Sequence, residues 1–297
     1  MTVEQCQRET VSKLKIIANK NICAKKYRKA LDAIAAASNI LYHWNQYYID
    51  NELEVMVKVI ASELIHVNMK PKDNNTILFY DGFGLDTRGL VIIYLKALGK
   101  CGYTVKYVTD AYAKNNQPEL VNAVKGLDVE WCYLSYRNNL EKLQQLHKVF
   151  EVYKPSKAFF YTMPDDVSAL VVFCGYENIV TRFQINLTDH TYWLGLSAFD
   201  YCIEFRDYGA CITNQYRKIG REKIVKLPYY PYYREREFQG FPFDTTGKRV
   251  MFSGGSLYKT LGDENNAYYN IVYKTLDRHQ DVIFYMREMG TIRNLKN

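Results

Sequence analysis

The amino-acid sequence predicts an α/β fold built on a doubly wound parallel sheet, and three observations carry that reading. Between residues 76 and 227, short apolar runs alternate with stretches of helical periodicity, the order expected of strands joined by crossover helices. Ahead of them, residues 1–70 show only the three- and four-residue spacing of helices. Behind them, residues 249–297 begin a strand, small-residue turn, helix and strand again.

The helical lead-in comes first. Tyr27, Ala30, Leu31, Ile34, Ile40 and Leu41 recur at helical spacing, as do Leu53, Met56, Val57, Ile60 and Leu64, so Glu4 to His66 is expected to form helices that pack on the α/β unit. No period near 34 residues recurs, so an array of helical hairpins is not supported. After the polar stretch Lys70 to Asn75, strands are expected at Thr76–Tyr80, Thr104–Thr109, Val129–Tyr136, Lys157–Thr162, Val180–Leu187, Tyr201–Phe205 and Lys223–Leu227. Helices are clearest at Thr87–Leu98, Pro118–Lys125 and Asn138–Tyr153. Pro228 to Lys248, rich in Tyr, Phe, Pro and charge, has neither period and reads as a linker.

Val250, Met251 and Phe252 then read as a strand, Ser253 to Lys259 as a turn, Ala267 to His279 as a helix and Val282 to Met286 as a strand. About 45 residues are too few to close a doubly wound sheet, since domains run to ~50–250 residues. The expected organisation is therefore a helical lead-in over 1–70, a first Rossmann-like half over 71–230, a linker over 231–248, and only the start of a second such half over 249–297.

Composition narrows the class. At 297 residues and 48% apolar content the chain can bury a sizeable core. No stretch approaches the ~18 uninterrupted apolar residues of a membrane span. Met1 to Thr10 is too polar for a signal peptide, so a cytoplasmic location is expected. Seven cysteines, an odd number with no CxxC pair, argue against a disulfide framework or a zinc site. The net charge of +7 is concentrated: residues 1–35 hold eight Lys/Arg against three acids, and Arg217, Lys218, Arg221 and Lys223 form a second cluster. Such a field favours anionic partners without choosing among sugar nucleotides, phospholipid headgroups and nucleic acid.

Three motifs are candidates for chemistry, because ligands of doubly wound sheets bind beyond the carboxyl ends of the strands. Asp81-Gly82-Phe83-Gly84-Leu85-Asp86-Thr87-Arg88-Gly89 follows a strand and opens a helix, but its glycines miss the G-x-G-x-x-G spacing. It is either a ligand loop or a structural turn. Ile185 to Gly195 ends an apolar strand in Thr188, Asp189 and His190, and adjacent Asp and His invite acid–base use; the alternative is a satisfied structural histidine. Ser253, Gly254, Gly255 and Ser256 permit close approach to phosphate oxygens, with Lys259 to oppose a leaving diphosphate, or else form an ordinary turn. Arg287 and Glu288 end the following strand at the same kind of edge. No D-x-D, P-loop, H-E-x-x-H or G-x-S-x-G occurs, which lowers the weight of metal-dependent hydrolysis and serine esterase chemistry.

In their order these motifs resemble a glycosyltransferase of the GT-B fold, similar to the O-linked N-acetylglucosamine transferase type and its bacterial relatives. The likeness rests on Asp81-Gly82-Phe83-Gly84; on Trp193-Leu194-Gly195 followed by Asp200-Tyr201-Cys202-Ile203; on Gln215-Tyr216-Arg217-Lys218 leading to Leu227-Pro228-Tyr229; and on Ser256-Leu257-Tyr258-Lys259. It covers roughly residues 76–290, each piece being short. The resemblance implies inverting transfer of a sugar from a nucleotide-diphosphate donor, a UDP-sugar, to an acceptor hydroxyl, with no cofactor and no obligatory metal. It assigns the donor to the second half, through Ser253, Gly254, Gly255, Ser256, Tyr258, Arg287 and Glu288, with Lys259 neutralising the diphosphate. Acceptor contacts fall to Asp81, Gly82, Phe83, Gly84, Arg88 and Asp189.

These enzymes carry a histidine after Phe-Gly, whereas this chain has Leu85-Asp86, so Asp86 or His190 would be the general base. His190 is preferred because an imidazole titrates near neutrality. A glycan, lipid-linked group or protein would accept the sugar, with peripheral contact to an anionic membrane face, and nucleic acid is not expected as a partner. The rival reading is a non-catalytic binding module or partner-dependent subunit that recognises a glycan, lipid headgroup or protein.

Overall fold

Three helices open the chain, and two of them start at side chains suited to capping. Helix α1 (Val3–Cys23) starts at Thr2, whose hydroxyl accepts from Gln5 N–H while the Gln5 side chain accepts from Thr2 N–H. Helix α2 (Tyr27–Trp44) follows, and α3 (Asn51–Leu64) starts at Asp50, whose carboxylate accepts from the N–H groups of Glu52 and Leu53. The computed structural model describes residues 2–44, 46–71, 75–84, 89–116, 118–230, 237–256 and 266–289. The chain divides into two units, Met1–Tyr233 and Arg234–Asn297.

The first unit continues as strand and helix in alternation. Its elements are β1 (Thr76–Asp81), α4 (Leu90–Lys100), β2 (Thr104–Asp110), α5 (Pro118–Ala123), β3 (Val129–Leu134), α6 (Asn139–Tyr153), β4 (Lys157–Tyr161), α7 (Val167–Gly175), β5 (Thr181–Ile185), β6 (Tyr201–Glu204), α8 (Asp207–Gln215) and β7 (Ile224–Lys226). The seven strands form one parallel sheet in the order β3-β2-β1-β4-β5-β6-β7. All seven expected strands are present to within a residue or two. The order reverses at β1 and β4, so the loops after those two strands flank the topological switch point.

Alternate residues of each strand serve the two faces. Leu78, Tyr80, Val108, Ala158 and Phe160 share a core with α2, α3, α6 and α7. Phe79, Val105, Tyr107, Ile185 and Ile203 share the other with α4 and α5. On that second face the register aligns Trp131, Tyr107, Phe79, Phe159, Phe183 and Tyr201 in one row across six strands. Neighbouring rings in the row lie 4.6 to 6.4 Å apart between centroids. Part of the unusual aromatic content is thus sheet packing.

Two elements differ from expectation. Helix α7 carries no helical period because eight of its nine residues are buried, and a helix apolar on all sides has no polar face to mark it. In the second unit, β8 (Arg249–Ser256) runs on through the residues expected to turn. It pairs in parallel with β9 (Val282–Met289), joined by α9 (Ala267–Arg278), and the ladder reaches Gly254 opposite Arg287 and Ser256 opposite Met289. Ser253 to Ser256 are therefore strand and not turn, and Arg287 and Glu288 lie at the carboxyl end of β9, which runs three residues past the expected Met286. The paired backbone of β9 stays extended over this length, and the ladder outweighs the local turn preference of Ser-Gly-Gly-Ser. No helix among the described residues is long and apolar enough to cross a membrane.

Candidate active site

The connection from β5 to β6 has no helix, so its backbone groups find partners both in other backbone, as Trp193 N–H does at Tyr48 C=O, and in side chains. Asn186 begins it, accepting from Thr188 N–H at 3.1 Å while its amide donates to Glu204 at 2.8 Å. Further along, the N–H groups of Gly195 and Leu196 donate to the buried Glu54 carboxylate of α3 at 2.7 and 3.0 Å. The lead-in helices thus brace this loop directly.

Between these anchors stand Asp189 and His190. Asp189 is buried and His190 has a side chain 59% exposed, with Nδ1 3.2 Å from Asp189 Oδ1. Arg206, two residues past the end of β6, grips the same carboxylate through Nε at 2.6 Å and Nη2 at 2.9 Å. Burial works against the charge of Asp189, yet Arg206 and His190 outweigh it and hold the carboxyl below the usual carboxylate range. An ionised carboxylate only accepts hydrogen bonds, so the neutral imidazole must present Nδ1–H to it. That tautomer leaves the Nε2 lone pair free to take a proton.

The loop after β1 is built differently. Asp81 is buried, its Oδ1 accepting from the N–H groups of Phe83 and Gly84 at 3.0 Å each and its Oδ2 from the Tyr107 hydroxyl at 2.6 Å. Gly82 N–H donates to Tyr161 C=O at 2.7 Å, and a Cβ at Gly82 would stand 2.7 Å from Thr162 Oγ1 and 2.9 Å from Asp166 Oδ2. The close backbone approach is therefore to the loop after β4. Gly84 takes φ +65°, which the turn requires.

Beneath this loop, buried Lys142 reaches Asp166 at 3.0 Å and Asp110 at 3.4 Å, while Tyr80 and Tyr136 donate to the same two carboxylates at 2.6 Å each. Burial alone would lower the Lys142 ammonium, but Asp166, Tyr80 and Asp110 together raise it above its usual range. Asp110 is raised by burial. These two carboxylates enclose a lysine. Among the described residues no three His, Cys, Asp or Glu side chains gather as a metal-binding group. Asp86 and Arg88 lie outside the described residues.

In the second unit, Ser253 Oγ accepts from the Tyr268 hydroxyl at 2.6 Å, and Arg287 is exposed. Gly254 lies against the Phe252 ring, where a Cβ would meet carbon at 3.2 Å, whereas Gly255 faces open space. Ser256 and Glu288 are defined through their backbone, and Tyr258 and Lys259 lie outside the described residues. A surface cavity of about 440 Å³ is lined by Lys15, Trp44, Tyr47 and Asp50 at the lead-in helices.

No family model matches the sequence, and no curated protein sequence is similar to it. Solved structures do match in fold. The O-GlcNAc transferase of Thermobaculum terrenum, solved as a point mutant, aligns with a TM-score of 0.50 at 14% identity over 93% of this chain and 55% of that one. The UDP-GlcNAc 2-epimerase of Neisseria meningitidis bound to UDP-GlcNAc aligns at 0.47 and 12% identity over 73% of this chain and 66% of that one. A lipopolysaccharide outer core galactosyltransferase aligns at 0.46 and 11% identity over 72% and 68%. The fold is GT-B-like. The chain spans about half the length of the O-GlcNAc transferase and about two thirds of the epimerase.

In this GT-B-like chain the described candidates of the first unit occupy two loops, Asp81 to Gly84 after β1 and Asp189 with His190 after β5. Asp189 and His190 are brought together, joined by Arg206, which no motif in the sequence had marked. The rule that pointed to Asp189, a polar residue just past a strand's carboxyl end, applies equally to Arg206 after β6. Lys142 and Asp166 were unmarked as well. Lys142 sits on the inner face of an otherwise amphipathic α6, and Asp166 is the cap of the unmarked α7, accepting from Ala169 N–H at 3.3 Å.

Proposed function

We propose that the protein is a glycosyltransferase that moves a sugar from a nucleotide-diphosphate donor to an acceptor hydroxyl, with inversion and without a metal. The observation that carries this reading is the Asp189–His190 pair at the carboxyl edge of a GT-B-like sheet, its imidazole exposed and its carboxylate held ionised by Arg206. His190 Nε2 takes the proton of the acceptor hydroxyl as its oxygen attacks the anomeric carbon and the bond from that carbon to the diphosphate breaks. Asp189 stabilises the imidazolium that forms, and general-base assistance of this kind contributes about 10²–10⁴-fold in rate. Lys259 is the proposed counter-charge for the departing diphosphate, with Ser253, Gly254, Gly255, Ser256, Tyr258, Arg287 and Glu288 around the donor. Gly82, Phe83, Gly84 and Arg88 remain proposed acceptor contacts, with Asp81 accepting from the N–H groups of Phe83 and Gly84. UDP is the proposed nucleotide.

Calorimetric titration with UDP and with GDP, repeated on Lys259→Ala, tests the donor assignment. Saturable UDP binding that weakens by more than ~1 kcal/mol in the variant, the size of a charge-assisted contact, is the expected result. Absence of binding to either nucleotide would overturn it in favour of a non-catalytic or partner-dependent module.

A further inference from the structure

Arg217 is almost wholly buried, yet it makes no ion pair among the described residues. Its guanidinium is instead directed at backbone. Nη2 donates to the carbonyls of Thr188, Asp189 and Thr191 at 3.3, 3.1 and 2.6 Å, and Nη1 donates to Thr213 Oγ1 at 3.0 Å. The plane is flanked by the Trp193 ring, 4.5 Å from its centre, and the Tyr48 ring at 5.3 Å. Three carbonyls on one nitrogen span the two residues that carry the proposed acid–base pair.

A buried cation without a carboxylate partner is costly to keep, and burial draws this guanidinium down to about 10, so it still carries its charge at neutral pH. Glu204 is a buried carboxylate linked to it through Thr213, whose hydroxyl donates to Glu204 at 2.5 Å while accepting from Arg217. Tertiary packing would accept an apolar side chain more cheaply at such a position. A guanidinium with Nη2 aimed at three carbonyls of one loop and Nη1 held by Thr213 does something an apolar residue cannot: it sets the path of the loop backbone.

We propose that Arg217 is the positioning residue of the His190 loop, which by gathering the carbonyls of Thr188, Asp189 and Thr191 holds Asp189 where it captures Nδ1–H of His190. The consequence is a fixed imidazole tautomer with Nε2 unprotonated. Arg206 then clamps the carboxylate from the solvent side, and Arg217 fixes the backbone beneath it. This inference rests on the reading of His190 as the base.

Nitrogen-15 NMR of the imidazole at about pH 8.5, where histidines are neutral, tests it without any substrate. The wild-type chain should show His190 as the Nδ1–H tautomer. Arg217→Lys keeps the charge but not the fork, and should shift the tautomer ratio roughly tenfold toward Nε2–H, the loss expected when a charge-assisted geometry is broken. Thr213→Val, which removes the Nη1 anchor together with the hydroxyl's bond to Glu204 but leaves Nη2 and its carbonyls in place, should shift it in the same direction by less and serves if Arg217→Lys does not fold. An unchanged signature in the folded variants, or an Nε2–H tautomer in the wild type, overturns the proposal. A tautomer shift in a protein that turns over no nucleotide sugar would keep the positioning role and remove the glycosyltransferase reading.

Discussion

At the end of β1 the Asp81 carboxylate is 1% exposed and accepts from Phe83 N–H, Gly84 N–H and the Tyr107 hydroxyl. After β5 the Asp189 carboxylate meets Arg206 on one side and, on the other, an imidazole that is 59% exposed. Both are aspartates at the carboxyl edge of one parallel sheet, and the neighbours decide their uses. Among the described residues the donors to Asp81 include backbone and a buried phenol, and a buried group of Lys142, Asp110 and Asp166 lies nearby. Around Asp189 one donor is a titratable ring open to solvent. At Asp189 the carboxylate is coupled to a ring that can exchange a proton with something outside the protein, whereas the bonds described at Asp81 lead to backbone and a buried hydroxyl.

The contrast can be sharpened by disturbing the closed region. Lys142→Met leaves Asp110 and Asp166 buried without their cation, and breaking such a pair costs about 3–5 kcal/mol. Urea unfolding should show a loss of that size, with the His190 tautomer unchanged in the molecules that remain folded. A loss below about 1 kcal/mol would mean that the two carboxylates carry little charge in the folded chain.

Glu54 offers a smaller effect nearer the open region. Burial pushes its carboxyl up to about 7 against the opposing pull of the Gly195 and Leu196 N–H groups, from an ordinary 4.5. The folded state therefore binds this proton more tightly than the unfolded chain. The resulting stability is fully present below about pH 4.5 and is lost as pH rises through about 7, by about 3 kcal/mol in all. Stability measured by urea from pH 5 to pH 8 should fall in the wild type, and Glu54→Gln should flatten that part of the slope. An equal slope in both proteins would show that Glu54 does not titrate between the two states.

Much of this fold was legible in the sequence because each strand is a short apolar run set off by polar turns, and Thr76, Thr104 and Lys157 mark strand starts clearly. Helix α7 was not legible, since Val167 to Cys174 is buried throughout and shows no period. Ser253 to Ser256 misled because two glycines signal a turn locally, while the pairing with Met286 to Met289 is settled by a strand some thirty residues away. At the site, His190 and Asp189 could be found because they adjoin in sequence. The roles of Arg206 and Arg217 could not, because they depend on which carboxylate and which carbonyls the fold brings to them. Asp81 illustrates the reverse: its place after a strand fits either a ligand loop or a structural turn, and only the fold shows that its carboxylate accepts from Phe83 N–H, Gly84 N–H and the Tyr107 hydroxyl.

The most direct test is the release of UDP from a UDP-sugar in the presence of a glycan acceptor, compared between the wild type and His190→Gln, with a thermal melt of both. An exposed side chain contributes little to stability, so the melts should coincide while kcat falls about 10²–10⁴-fold. Equal rates in the two proteins, or no saturable turnover by the wild type, would contradict the assignment of His190 as the base.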